Sequence, residues 1–131
     1  MTTRRRILVA AGLSAWLLTP ADASAHHSVT GQFDASKPVT LRGVITRLTW
    51  KSPHIWIYLD VAESNAGVVN WAVEGAPPAI LRRSGVEQSL FKIGDRVTIT
   101  AYRARSTSEP SAHAFDLVLP DGRRIVIGRR L

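Results

Sequence analysis

From Pro38 onward apolar and polar residues alternate at short range, and turn-forming residues separate the runs. A period of two puts successive side chains on opposite faces of an extended chain, so the pattern predicts half-buried strands. Five main strands are expected. The first covers residues 39–50 (VTLRGVITRLTW), and Gly43 in its middle predicts a bulge or sharp bend. KSPH makes the next turn. The second strand, HIWIYLDV, sends Ile55, Ile57, Leu59 and Val61 to one face, which must be core, and His54, Trp56, Tyr58 and Asp60 to the other. SNAG turns the chain into VVNWAVE, where Val69, Trp71 and Val73 share a face.

The period then breaks. In GAPPAILRRSG two prolines suit the first turn of a helix, Ile80 and Leu81 are expected to dock inward, and Gly85 can close the carboxyl end. FKIGDRVTITAYRA gives a fourth strand with Val97, Ile99 and Ala101 inward, and AHAFDLVLP gives the fifth. A hairpin through Asp121-Gly122 follows. Three strands, a helix and two further strands is the order of the oligonucleotide/oligosaccharide-binding (OB) fold. The expected class is therefore all-β: a small OB-like Greek-key barrel of five to six strands, with one short helix between the third and fourth.

Residues 1–25 break the pattern in another way: three arginines, an apolar run from Ile7 to Leu18, then Ala23-Ser24-Ala25. This is the layout of an export signal cut after Ala25; TRRRIL resembles a twin-arginine signal, but Ile7 stands in place of that motif's phenylalanine and the ordinary secretory route is the alternative. The run is ~12 residues, short of the ~20 that cross a bilayer as a helix, so no transmembrane anchor is expected after cleavage. A mature amino-terminal tail at 26–37 and a single domain at 38–131 complete the organisation, with the periplasm as the expected address. No cysteine is present, which excludes disulfides and thiolate metal sites. The net charge of +7 falls to +5 once Arg4, Arg5, Arg6 and Asp22 leave with the signal. That is ordinary for solubility, and an exported chain rarely meets nucleic acid.

Cleavage after Ala25 makes His26 the first residue. Its α-amino group (pKa ~7.7–8.0) and imidazole (pKa ~6.5) can chelate one metal ion together at neutral pH. A further nitrogen is available from His27, His54 or His113. Such ligands suit Cu(II) and Zn(II), whereas the single methionine, Met1, leaves with the signal and no sulfur remains for Cu(I). The plainer reading of His26 and His27 is a polar tail, and of His54 the end of a turn. The parity of His113 with Phe115 and Leu117 points it into the interior. A second constellation is aromatic: Trp50, Trp56 and Tyr58, with Arg103 and Arg105 in a loop, resemble a surface that binds glycans or anions. The bland alternative is that Trp56 packs beneath the tail or the helix. Enzymatic chemistry finds little support, because Asp34, Asp60, Glu74, Asp95 and Asp116 are scattered and no nucleophile or phosphate-loop motif occurs. Glu74 is the best candidate for a buried functional acid, although helix capping or a surface ion pair is the commoner use. The arginines at 82, 83, 123, 124, 129 and 130 read as solvated faces.

Taken together, AHHSVTGQFD, LRGVITRLTWKSPHIWIYLDV, WAVEGAPPAILRRSGV and FKIGDRVTI resemble a family of small exported bacterial proteins of unknown function, over nearly the whole mature chain. The family's pattern falls here on His26-His27-Ser28, Phe33-Asp34, Gly43-Val44, Trp50, Pro53-His54, Trp71, Glu74, Leu81, Gly85, Gly94-Asp95 and Val97. Ser52 stands where the family has asparagine, and Val86 where it often has tryptophan. The resemblance implies export and a small β-rich domain and supplies no activity. It raises the weight of His26, His27 and His54. The leading expectation is a periplasmic, non-enzymatic protein holding copper or zinc through these three residues. The alternative is an anion- or glycan-binding module using Trp50, Trp56 and Tyr58, or a structural partner in an envelope complex.

Overall fold

The structure, a computed structural model, describes residues 29–106 and 108–131; the expected export signal, His26, His27 and Ser28 lie outside them. The described chain is mainly β. A four-residue helix α1 (Val29–Gln32) leads into β1 (Phe33–Thr49), β2 (Trp56–Glu63) and β3 (Gly67–Glu74). Helix α2 (Pro78–Arg83) and a 3-10 turn (Gln88–Leu90) follow, then β4 (Arg96–Ala104), β5 (Ser111–Val118) and β6 (Arg124–Val126).

All six strands join one sheet in the order β3-β2-β1-β4-β5-β6. Neighbours in that order are antiparallel. The end of β3 also runs parallel to β5, through Ala72–Ser111, Val73–Ala112 and Glu74–His113, so the pairings among β1 to β5 form a closed circuit. The alternation fulfils its prediction: Ile55, Ile57, Leu59 and Val61 on the second strand, Trp71 and Val73 on the third, and Val97, Ile99 and Ala101 on the fourth are all buried in one core.

Several expectations shift. β1 starts at Phe33 rather than 39, because Phe33 pairs with Ala104 and buries its ring with Tyr102 and Phe115. The polar stretch Asp34–Lys37 hides this, since the register slips between Phe33 and Pro38 and residues 35–37 are exposed. The β1–β2 irregularity falls between Ile45 and Arg47, not at Gly43. Gly43 has a different role: a Cβ there would lie 2.5 Å from the Asp60 carbonyl oxygen, so it allows β1 and β2 to approach.

In α2, Leu81 is buried while Ile80 is 48% exposed. Consecutive residues on a helix do not share a face, so one short turn can insert only one of them. Burying Leu81 contributes roughly 1.5–3 kcal/mol. We therefore predict that Ile80→Ser changes the unfolding free energy by no more than ~0.5 kcal/mol in urea titrations, as surface substitutions do. A loss of core-like size would place Ile80 inside.

β5 carries the most consequential irregularity. Its register with β4 moves from Thr100–Asp116 to Ala101–Ala114, leaving Phe115 as an extra residue. Ala112, Ala114 and Leu117 belong to the main core, whereas Phe115 joins Phe33 and Tyr102 in a second cluster on the other face. The bulge breaks the parity assumed for His113. His113 is buried, 5% exposed, but with Phe33 on the face opposite Leu117.

Candidate functional site

His54 follows the Ser52–Pro53 turn, whose peptide bond is cis, and lies two residues before the start of β2. Its neighbour Ile55 accepts a hydrogen bond from the Gly75 amide (3.0 Å) and donates one to the Ala76 carbonyl (3.3 Å). These bonds lock the turn against the end of β3. Gly75 permits this closeness, because a Cβ there would stand 2.7 Å from Ile55 Cγ1. Glu74 consequently lies beside the His54 ring, and the ring's Nδ1 donates to Glu74 Oε1.

The β3–β5 pairing brings His113 to the other side of the same carboxylate, with Nδ1 3.8 Å from Oε2. Its Nε2 donates to the Arg129 carbonyl (3.1 Å), and its ring packs on Phe33 with centroids 5.5 Å apart. Because 3.8 Å is too long for a hydrogen bond, Nδ1 of His113 is a buried polar atom without a hydrogen-bond partner. Glu74 is 7% exposed, yet the side chain of His54 is 32% exposed, so the cluster is a buried carboxylate with one ring opening to solvent.

Burial pushes the Glu74 carboxyl up, but its interactions with His113 and His54 outweigh that and leave it below its usual 4.5. A depressed folded value means the stabilisation is present above the unfolded value and disappears as pH falls through the folded one. We expect the melting-temperature gap between wild type and Glu74→Gln to be steady near neutrality and to close below about pH 4.5. A gap unchanged down to strongly acidic pH would contradict this coupling.

The first described residues sit at this cluster. Val29 packs on the Phe33–Tyr102–Phe115 group together with Leu131. Val29, Thr30, His113, Arg129 and Leu131 line a cavity of about 230 Å³. Arg105 fixes the segment, its amide bonding the Gln32 carbonyl (2.8 Å) and its Nε the Thr30 carbonyl (3.2 Å), with Asp34 3.7 Å from its guanidinium. Hydrogen bonds from Ser36, aided by Arg105 and Lys37, hold the Asp34 carboxyl below its usual value.

The predicted aromatic residues are dispersed in their contacts. Trp50 packs on Phe91 (centroids 5.5 Å) and against the core. Tyr58 lies beneath the Arg47 guanidinium, 3.6 Å from its centroid, and Arg103 covers Trp71 rather than joining Tyr58. Trp56 is half-buried, opposite Glu74 across β2 and β3. Three arginines read as solvated have an acidic partner: Arg123 bonds Asp121, Arg124 and Arg130 both bond Asp116, which is only 5% exposed, and Arg130 also covers Phe115. Glu74 with His113 is the pair that sequence reasoning missed. They are far apart in the chain, and only a non-local parallel pairing unites them.

Among the described residues no three His, Cys, Asp or Glu side chains are arranged to hold a metal ion. No helix among them is long and apolar enough to cross a membrane. In class, this is a small, mainly β domain with a buried carboxylate flanked by two histidines. The chain belongs to a family of unknown function, DUF6152, whose model matches residues 15–113. That span takes in His26, His27, His54, Glu74 and His113. No curated protein and no solved structure matches the chain.

Proposed function

We propose that this is an exported, periplasmic, non-enzymatic binding protein that holds a divalent transition metal, copper or zinc, through His26, His27 and His54. The observation that supports this reading best is that Val29 and Thr30 line one cavity with His113. His113 faces Glu74, and Glu74 binds His54, so the start of α1 and the half-exposed ring are linked through two buried side chains. His26 and His27 precede Val29 by three and two positions, a reach of up to ~10 Å and ~7 Å. The described residues bring one open imidazole to this centre, and His26 and His27 would supply the remaining ligands. The address rests on the export signal read in residues 1–25. The strand circuit, with α2 between β3 and β4, supports an OB-like Greek-key barrel as the scaffold.

A second reading has one observation in its favour. A groove of about 510 Å³ lies between Arg42 and Arg96, lined also by Thr98 and Pro120. Neither guanidinium makes an ion pair or hydrogen bond with the described residues, so an anionic glycan could be held there. Its binding would fall steeply with added salt, unlike coordination.

The deciding experiment expresses the precursor with its own signal, determines the mature amino terminus by mass spectrometry, and titrates the metal-free protein with Cu(II) and Zn(II). The expected terminus is His26, with submillimolar binding that His54→Ala weakens. A terminus elsewhere removes the amino-group ligand. Binding indifferent to His54→Ala ends the metal reading.

A further inference from the structure

Resting on that reading, the geometry points to Glu74 as the positioning residue that decides which nitrogen of His54 meets the metal. Its buried carboxylate holds the Nδ1 proton, so Nε2 is the ligand. A neutral imidazole carries one proton, and the nitrogen that donates it cannot also coordinate. Nδ1 of His54 faces Glu74 Oε1, and a carboxylate can only accept, so the proton sits on Nδ1 and the lone pair on Nε2. Nε2 has no hydrogen-bond partner among the described residues, on a side chain 32% exposed to solvent. A free imidazole prefers the opposite tautomer, so the arrangement is imposed by the fold.

The carboxylate is enclosed on its other side by a second ring. Its second oxygen faces the buried His113 Nδ1 at 3.8 Å, too far for a hydrogen bond, and His113 is anchored by the Arg129 carbonyl and the Phe33 ring. His113 therefore packs beside the carboxylate and is not a ligand: Nε2 is spent on Arg129 and Nδ1 is buried against Glu74. A carboxylate behind a ligating histidine fixes the ring's orientation and raises its basicity, and losing such a partner typically weakens metal affinity ~10–100-fold.

Two measurements test this on the processed protein. In the metal-free wild type, long-range ¹H–¹⁵N spectra should find His54 protonated at Nδ1 and bare at Nε2; the reverse tautomer overturns the assignment and needs no variant to fold. In Cu(II) titrations, Glu74→Leu should bind ~10–100-fold more weakly, and Glu74→Gln, which keeps an oxygen acceptor, should recover most of the loss. Pulsed EPR of the copper-loaded protein should register the remote Nδ1 of His54, with a quadrupole coupling that changes in Glu74→Gln. Wild-type protein that binds no Cu(II) ends the metal reading and this inference with it. A wild type that binds through His54, beside a Glu74→Leu chain that binds equally tightly with an unchanged remote-nitrogen signal, ends the positioning role alone.

Discussion

Gly128→Ala is expected to lower the melting temperature by about 10–20 °C, the largest stability loss we foresee from adding one methyl group. A Cβ at this position would lie 1.9 Å from the Ala114 carbonyl oxygen and 3.6 Å from His113 Nε2. The obstacle is backbone, so no side chain can swing aside. The segment after β6 would have to lift from β5, straining the Ile127–Phe115 backbone bond (3.0 Å) and the His113–Arg129 bond (3.1 Å). Overpacking alone costs roughly 1–3 kcal/mol and each hydrogen bond lost adds about 1 kcal/mol. Gly67→Ala is the control, because its added Cβ meets nothing within 4 Å although φ is +71°. Only the left-handed backbone is penalised there, by about 1–2 kcal/mol. Thermal melts followed by near-ultraviolet circular dichroism compare the two. Equal losses would mean that the crossing over Ala114 is not tight.

The largest binding effect is expected at the other side of the same cluster. His54→Ala should reduce Cu(II) affinity by at least ~100-fold, exceeding the usual loss for an outer partner because a ligand itself is gone. One extra residue ahead of His26 should also weaken binding, since it moves the α-amino group away from the imidazole it chelates with. Both ligand types shed a proton on binding, so affinity should fall as pH is lowered. Isothermal titration of the three proteins at two pH values checks all of this at once. If the extended chain and wild type bind alike while His54→Ala fails, the centre uses side chains only. If none differs, His26, His27 and His54 do not form the centre and the metal reading falls.

Much of the scaffold was legible because period-two alternation is a local signal. The buried face of residues 55–61 and the inward set Val97, Ile99 and Ala101 needed no knowledge of partners. The helix was legible from its prolines and from Gly85, whose φ of +76° closes it. What escaped was non-local. Phe33 sits in polar sequence and earns its strand only from Tyr102 and Phe115. One inserted residue at Phe115 reversed the face of His113 without leaving any mark in the pattern. Pro53-His54 and Glu74 each stood out alone, but their contact depends on the backbone bonds between Ile55 and Gly75. Ile80 and Leu81 are both apolar, and composition could not say which one the short helix would turn inward.

The parallel seam between β3 and β5 has a consequence for behaviour at high concentration. A strand with one unpaired side is a template for a second molecule, and proteins suppress such templates by shortening or covering them. Here the seam covers residues 72–74 of β3, and the outer strand β6 has only three residues, too few to nucleate a ladder. Opening the seam would expose continuous backbone along both β3 and β5, and fibril formation is the failure to expect from variants that loosen it.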